Sequence, residues 1–170
     1  CADAPCQACV CGVESYCCDG IGDWDAYCAE LARTHRAATC ACPTYDPPLN
    51  DTCQNATAID VNPFAEAVLT VAAGAEAEGP SPKCGNESNA HSVWYRLTAP
   101  DEGYVSASTL GSRYDTILAA YAGACGTLHE IACNDDEATH GTVQSEVTLR
   151  VGAGQAVYFL VTAWDFADSL

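Results

Sequence analysis

Methionine is absent from this 170-residue chain, and basic side chains are scarce. No apolar run approaches the ~20 residues that a membrane-spanning helix requires. Six Lys and Arg stand against 23 Asp and Glu, giving a formal net charge of −17 at pH 7. Such a surface repels phosphate backbones, which excludes nucleic acid as a partner, and it attracts divalent cations. Catalytic signatures are missing too. The four histidines, His35, His91, His129 and His140, are scattered and form no metalloprotease or haem-attachment pattern. No serine lies in a nucleophile elbow. Carboxylates are so common here that a pair of them does not signal a glycosidase. A non-catalytic protein is expected. No signal peptide or initiator methionine precedes Cys1, so the chain is expected to be a processed mature form or a piece of a longer polypeptide.

What the sequence has in abundance is cysteine, at 13 of 170 residues. A reducing cytosol would keep that many thiols free to mispair, so an oxidising, extracellular or cell-surface location is expected. Cysteine density also divides the chain. Residues 1–42 hold nine, and the remainder holds Cys53, Cys84, Cys125 and Cys133. Between the dense and sparse regions, Pro43, Pro47 and Pro48 favour an extended, semi-rigid spacer. The expected organisation is a disulfide-rich module at 1–42, a proline-rich linker at 43–49 and a larger domain at 50–170.

The first module is too short to bury a sufficient core, so crosslinks must stabilise it. One helix is readable from Asp23 as N-cap through Trp24, Tyr27, Cys28 and Leu31, with Arg33, His35 and Arg36 in its last turn. Cys6, Cys9, Cys11, Cys17, Cys18, Cys28, Cys40 and Cys42 suffice for four bridges, which leaves Cys1 to pair upstream or with another chain. Cys6-x-x-Cys9 and Cys40-x-Cys42 also have spacing that zinc would accept, but the oxidising context favours disulfides.

The second module reads as mainly β, an antiparallel, jelly-roll-like sandwich. Val68–Ala73, Val93–Thr98, Tyr104–Thr109, Ile117–Tyr121, Glu146–Val151 and Val157–Ala163 are rich in β-branched and aromatic residues. Asp101-Glu102-Gly103, Gly111-Ser112 and Gly152-Ala153-Gly154 punctuate them. Cys125 with Cys133 would close a short loop, worth about 2–3 kcal/mol in the chain-entropy model. Cys53 with Cys84 would tie the first strand to the loop before Trp94.

Ordered motifs then carry a resemblance. Asn50-Asp51-Thr52-Cys53-Gln54-Asn55-Ala56 opens the module, followed by Val93-Trp94-Tyr95-Arg96-Leu97-Thr98-Ala99-Pro100. Tyr114-Asp115-Thr116-Ile117-Leu118-Ala119-Ala120-Tyr121, Cys125-Gly126-Thr127-Leu128 and Ile131-Ala132-Cys133-Asn134-Asp135-Asp136 come next. Residues 50–170 thus resemble β-sandwich modules related to the bacterial pre-peptidase C-terminal domain. The first module, with Tyr16-Cys17-Cys18, Trp24-Asp25 and Cys28, resembles a cysteine-rich repeat of planctomycete and myxobacterial secreted proteins. The resemblance implies an extracellular scaffold or accessory role. It also implies a final strand after Val157–Trp164 that this chain stops short of, by truncation or because a neighbour donates it.

Calcium is the expected metal. Hard cations want many oxygen ligands, and Asn134, Asp135, Asp136 and Glu137 concentrate them in one loop within reach of Asp115. The resemblance supports Asp115, Asp135 and Asp136 as ligands. The aromatic residues Trp94, Tyr95, Tyr104, Tyr114, Tyr121, Tyr158 and Trp164 are expected mostly in the core, with Trp164 the most exposed. Sequons at Asn50, Asn55 and Asn86 are assigned no role.

The first expectation for function is a non-catalytic structural module of a surface fibre or appendage. It would polymerise with copies of itself, or with neighbouring modules of a larger protein, by strand addition. The alternative is a carbohydrate-binding or substrate-targeting module of a secreted hydrolase, with polysaccharide as partner. An exposed aromatic row on one sheet face would favour the alternative, and an occupied strand groove would favour assembly.

Overall fold

The computed structural model describes residues 46–70, 72–74, 79–85, 91–137 and 141–164. The expected module at 1–42, its helix, its bridges and the ending after Trp164 lie outside the described residues. From Pro47 onward the described residues belong to one compact unit.

That unit is a β-sandwich. A single-turn 3-10 helix, Cys53–Asn55, precedes β1 (Thr57–Ile59), β2 (Val93–Thr98), β3 (Gly103–Ser108), β4 (Thr116–Ala122), β5 (His129–Asn134), β6 (Glu146–Val151) and β7 (Ala156–Ala163). One sheet has five strands in the order β1-β2-β7-β4-β5, and the other pairs β3 with β6. All pairs are antiparallel except β1 with β2, which run parallel. The antiparallel expectation is corrected at that edge. Among the described residues no helix is long and apolar enough to cross a membrane.

Sequence pattern explains the layers. β4 and β7 lie inside the larger sheet and are covered on both faces, so they read as nearly unbroken apolar runs. β3 and β6 alternate instead, because only one of their faces meets the core. Between the sheets lie Leu118, Ala120, Val147, Leu149, Val151, Val157 and Phe159. On the other face of the five-stranded sheet, Trp94, Tyr121 and Leu160 pack beneath Cys53. Trp94 and Tyr121 rings sit 5.8 Å apart.

Val68–Ala73 is not a strand at its described positions. Thr70 Oγ1 donates to the Tyr114 hydroxyl, the Ala73 amide turns back to the Thr70 carbonyl, and Leu69 is 60% exposed. β-propensity without a partner strand gives extended loop rather than sheet. Two strands escaped the pattern. β1 is three residues long, and β5 mixes polar and apolar residues at an edge.

The disulfide pairing also differs from expectation. Cys53 joins Cys125 and Cys84 joins Cys133. The β4–β5 hairpin gives the reason. Cys133 sits opposite Ala119, well along β5, while Cys125 lies in the connecting loop beyond the Ala122–His129 pair. The stretch from His129 to Cys133 alone extends about 13 Å at strand rise. A disulfide needs Cα atoms within about 7 Å, so a bridge along one hairpin arm is out of reach. Both observed bridges fasten the loops flanking β1 and β2 to the β4–β5 hairpin.

Candidate functional site

Two features of the sandwich carry chemistry: an acidic cluster at one end, and the outer face of the small sheet with the edge of β3 that pairs with no strand among the described residues. Asp115 precedes β4, while Asp135 and Asp136 follow β5. Because β4 and β5 are paired, the start of one lies beside the end of the other, with Leu118 opposite Asn134. One carboxylate oxygen from each of Asp115, Asp135 and Asp136 lies within 4.8 Å of the other two. Burial, reinforced by the neighbouring Asp136 charge, pushes the Asp135 carboxyl above its usual range. Asp135 Oδ1 is buried and has no hydrogen-bond partner among the described residues. An orphaned carboxylate oxygen beside two other carboxylates suits a hard cation, which would supply the missing partner.

Asn134 and Glu137 brace the same loop. The Asn134 side-chain oxygen accepts the Glu146 amide at 2.8 Å, and its nitrogen donates to the Asp136 carbonyl at 3.0 Å, bracing the loop. Glu137 lies outside the three-carboxylate group. Its amide donates to the Gln144 carbonyl at 2.8 Å.

Sequence reasoning missed the buried hydroxyls that hold this end together. Ser145 Oγ lies 2.6 Å from the Asp135 carbonyl and bonds also to the Thr116 carbonyl. Thr109 Oγ1 contacts Thr116 Oγ1 at 2.6 Å and accepts the Ser145 amide at 2.8 Å. All three residues are buried. Gln144 Nε2 donates to the Ser112 carbonyl at 3.1 Å, strapping the loop before Asp115. A polar residue before an apolar strand (Thr116, Ser145) was the only available signal.

The aromatic residues sort themselves sharply. Trp94 and Tyr121 are buried, whereas Tyr95, Tyr114, Tyr158 and Trp164 are half-buried. Trp164 is therefore not the exposed aromatic expected; its amide donates to the Asp115 carbonyl at 3.0 Å, which draws the segment inward. The exposed one is Tyr104, at 78%. It stands on the outer face of β3 opposite Arg150 of β6. Beside this pair, Ser106 and Thr148 hydroxyls bond at 2.5 Å, and Arg150 approaches Glu102 at 3.5 Å. The face thus offers one aromatic ring, hydroxyls and a charged pair on a flat strand surface.

Under and beside β3 opens a cavity of about 710 Å³. Its floor includes Leu97, Leu118, Phe159 and Val161, and its rim includes Glu66 and Tyr95. Burial and the Glu66 charge push the Tyr95 hydroxyl up to about 12.

Residues 49–160 match the profile of a family described as galactose binding domain-like and associated with T9SS. This supports the sandwich architecture of the sequence resemblance, but the matched family is not the pre-peptidase C-terminal one. No curated protein matches the chain.

Proposed function

Because the chain belongs to the T9SS-associated galactose binding domain-like family, we propose that it is a secreted, non-catalytic module that binds carbohydrate. The family match supports this reading over the surface-fibre subunit that headed the sequence expectations. The observation that carries it is the family match itself, which spans all seven strands in whole or part. The outer face of β3 and β6 is where we place the sugar. An exposed tyrosine ring gives a pyranose ring an apolar surface to stack on, and adjacent hydroxyl and charged groups meet its hydroxyls. The two disulfides of the described residues fit an oxidising, extracellular setting.

The test is binding of the full chain to immobilised polysaccharides and to a glycan array, with Tyr104→Ala in parallel. A saturable glycan whose binding falls roughly tenfold in the variant, or about 1.4 kcal/mol, supports the reading. Binding that ignores Tyr104 would move the sugar elsewhere on the sandwich. No glycan bound at all would remove the carbohydrate role.

We also propose that Asp115, Asp135 and Asp136 hold a calcium ion. The orphaned Asp135 oxygen and the like-charged neighbours support it, since an ion would relieve both. Its role would be structural. It would pin the β5–β6 loop against the start of β4 rather than contact the ligand.

A further inference from the structure

We infer that the free edge of β3 receives an extended strand from a different protein, apolar at alternate residues and flanked by Lys or Arg. The mismatch between the sheets motivates it. Five strands face two, and residues 61–70 fill only part of the gap beside β3, with Phe64 against Tyr95 at 5.9 Å. The 710 Å³ cavity lies in that gap, and every residue of β3 from Gly103 to Ser108 lines it, those of both faces included. A cavity buried wholly beneath a sheet touches only inward residues. One that touches both faces runs along the edge itself.

The backbone of that edge is ready to pair. The Thr109 amide donates to the Ser145 carbonyl at 2.9 Å, toward β6. Alternation then turns the amides of Tyr104, Ser106 and Ser108 away from β6, toward the cavity. Among the described residues β3 pairs with β6 alone. Its sequence, Gly-Tyr-Val-Ser-Ala-Ser, contains no charge and no proline, and its register with β6 is unbroken. Proteins commonly protect an edge with such residues or with a bulge. The opposite edges of the larger sheet show those protections. β1 is only three residues long. β5 carries His129 and Glu130, faces a bulge at Ala120–Tyr121, and is overlaid by residues 83 and 84 through the Lys83 amide to Glu130 and the Cys84–Cys133 bridge. β3 has six residues and no charge, proline or bulge of its own.

The lining tells what fits. Val105 and Ala107 from β3, with Leu97, Leu118, Phe159 and Val161 opposite, would receive every second side chain of an added strand. The lining contains Glu66, Asp101 and Glu102, the last within 3.5 Å of Arg150, and no Lys or Arg. A second copy of a chain with net charge −17 is therefore poorly matched, and a strand with basic flanks is well matched.

The test uses the full chain and a fluorescein-labelled peptide of about nine residues, alternating Val and Thr with Lys at each end, long enough to span β3. Ser106→Pro removes one edge amide, and with it the Ser106–Thr148 hydroxyl bond, but no backbone bond to β6, and Ala107→Leu fills the cavity. Saturable binding to the natural chain, weakened roughly tenfold in each variant whose melting point stays within a few degrees, supports the inference. Absence of saturable binding overturns it, as does equal binding by the variants. Concentration-dependent self-association of the natural chain, lost in Ser106→Pro, would assign the edge to a second copy and overturn it as well.

Discussion

Asp115 and Asp135 present carboxylate oxygens within 4.8 Å of each other, although one precedes β4 and the other follows β5. The antiparallel pairing of those strands imposes the meeting. Like charges at such a distance repel, so this end of the sandwich is under electrostatic load until a cation or protons neutralise it.

Calcium should raise the melting temperature. At about 100 times its dissociation constant a single bound ion contributes roughly 2.7 kcal/mol, or several degrees for a chain of this size. Thermal melts with calcium and with chelator measure it. Asp135→Asn should abolish the difference, and an unchanged melt of the natural chain in chelator would remove the ion from the account.

Without divalent ions, pH should act through Asp135 in a set direction. Its carboxyl is raised from 3.8 in the fold, by burial first and Asp136 second. The stability it contributes is therefore present at low pH and is lost as pH rises through the raised value. Melts in chelator should show the natural chain losing ground to Asp135→Asn as pH rises from 3.8, the ordinary value, through the raised one. With calcium the trend should reverse, because the ion binds the ionised carboxylate.

Peptide mapping without reduction should recover Cys53 linked to Cys125 and Cys84 linked to Cys133. The first bridge spans a sequence separation of 72. In the chain-entropy model a loop that long contributes about 4 kcal/mol, so replacing both Cys53 and Cys125 with alanine should lower the melting point by roughly 10 °C.

Ser145→Ala should destabilise by about 1–3 kcal/mol, because its hydroxyl is shared between the buried Thr116 carbonyl and the half-buried Asp135 carbonyl. The same variant should weaken calcium binding, since the loop carrying Asp135 loses its anchor. Calorimetric titration with calcium reads that second effect, which a loss of stability alone would not produce.

Gly85 offers a packing test. A Cβ there would stand 2.1 Å from Ile117 Cδ1, and Ile117 is fully buried. Gly85→Ala should therefore cost about 1–3 kcal/mol in denaturant unfolding.

Much of the fold is legible in the sequence. β2 and β6 coincide with their expected spans, and β3, β4 and β7 do so within a residue at either end. Those strands face or form the core, so burial writes itself into their composition. β1 and β5 are edge strands whose residues answer to neighbours rather than to a periodic core, and they left no such record. Val68–Ala73 shows the converse, β-branched residues lining a cavity without a partner strand. The acidic cluster was legible because Asp115 and the Asp135–Asp136 pair stand at strand ends. Disulfide pairing was not, since it depends on which arm of a hairpin each cysteine occupies. Nor was Tyr104 singled out, because exposure on a two-stranded sheet follows from the sheet's width.

The measurement closest to the central claim is a polysaccharide-binding titration of the full chain in calcium, natural and Tyr104→Ala side by side. Saturable binding to at least one glycan is expected, roughly tenfold weaker in the variant with an unchanged melt. A folded chain that binds none of the glycans tested would contradict it.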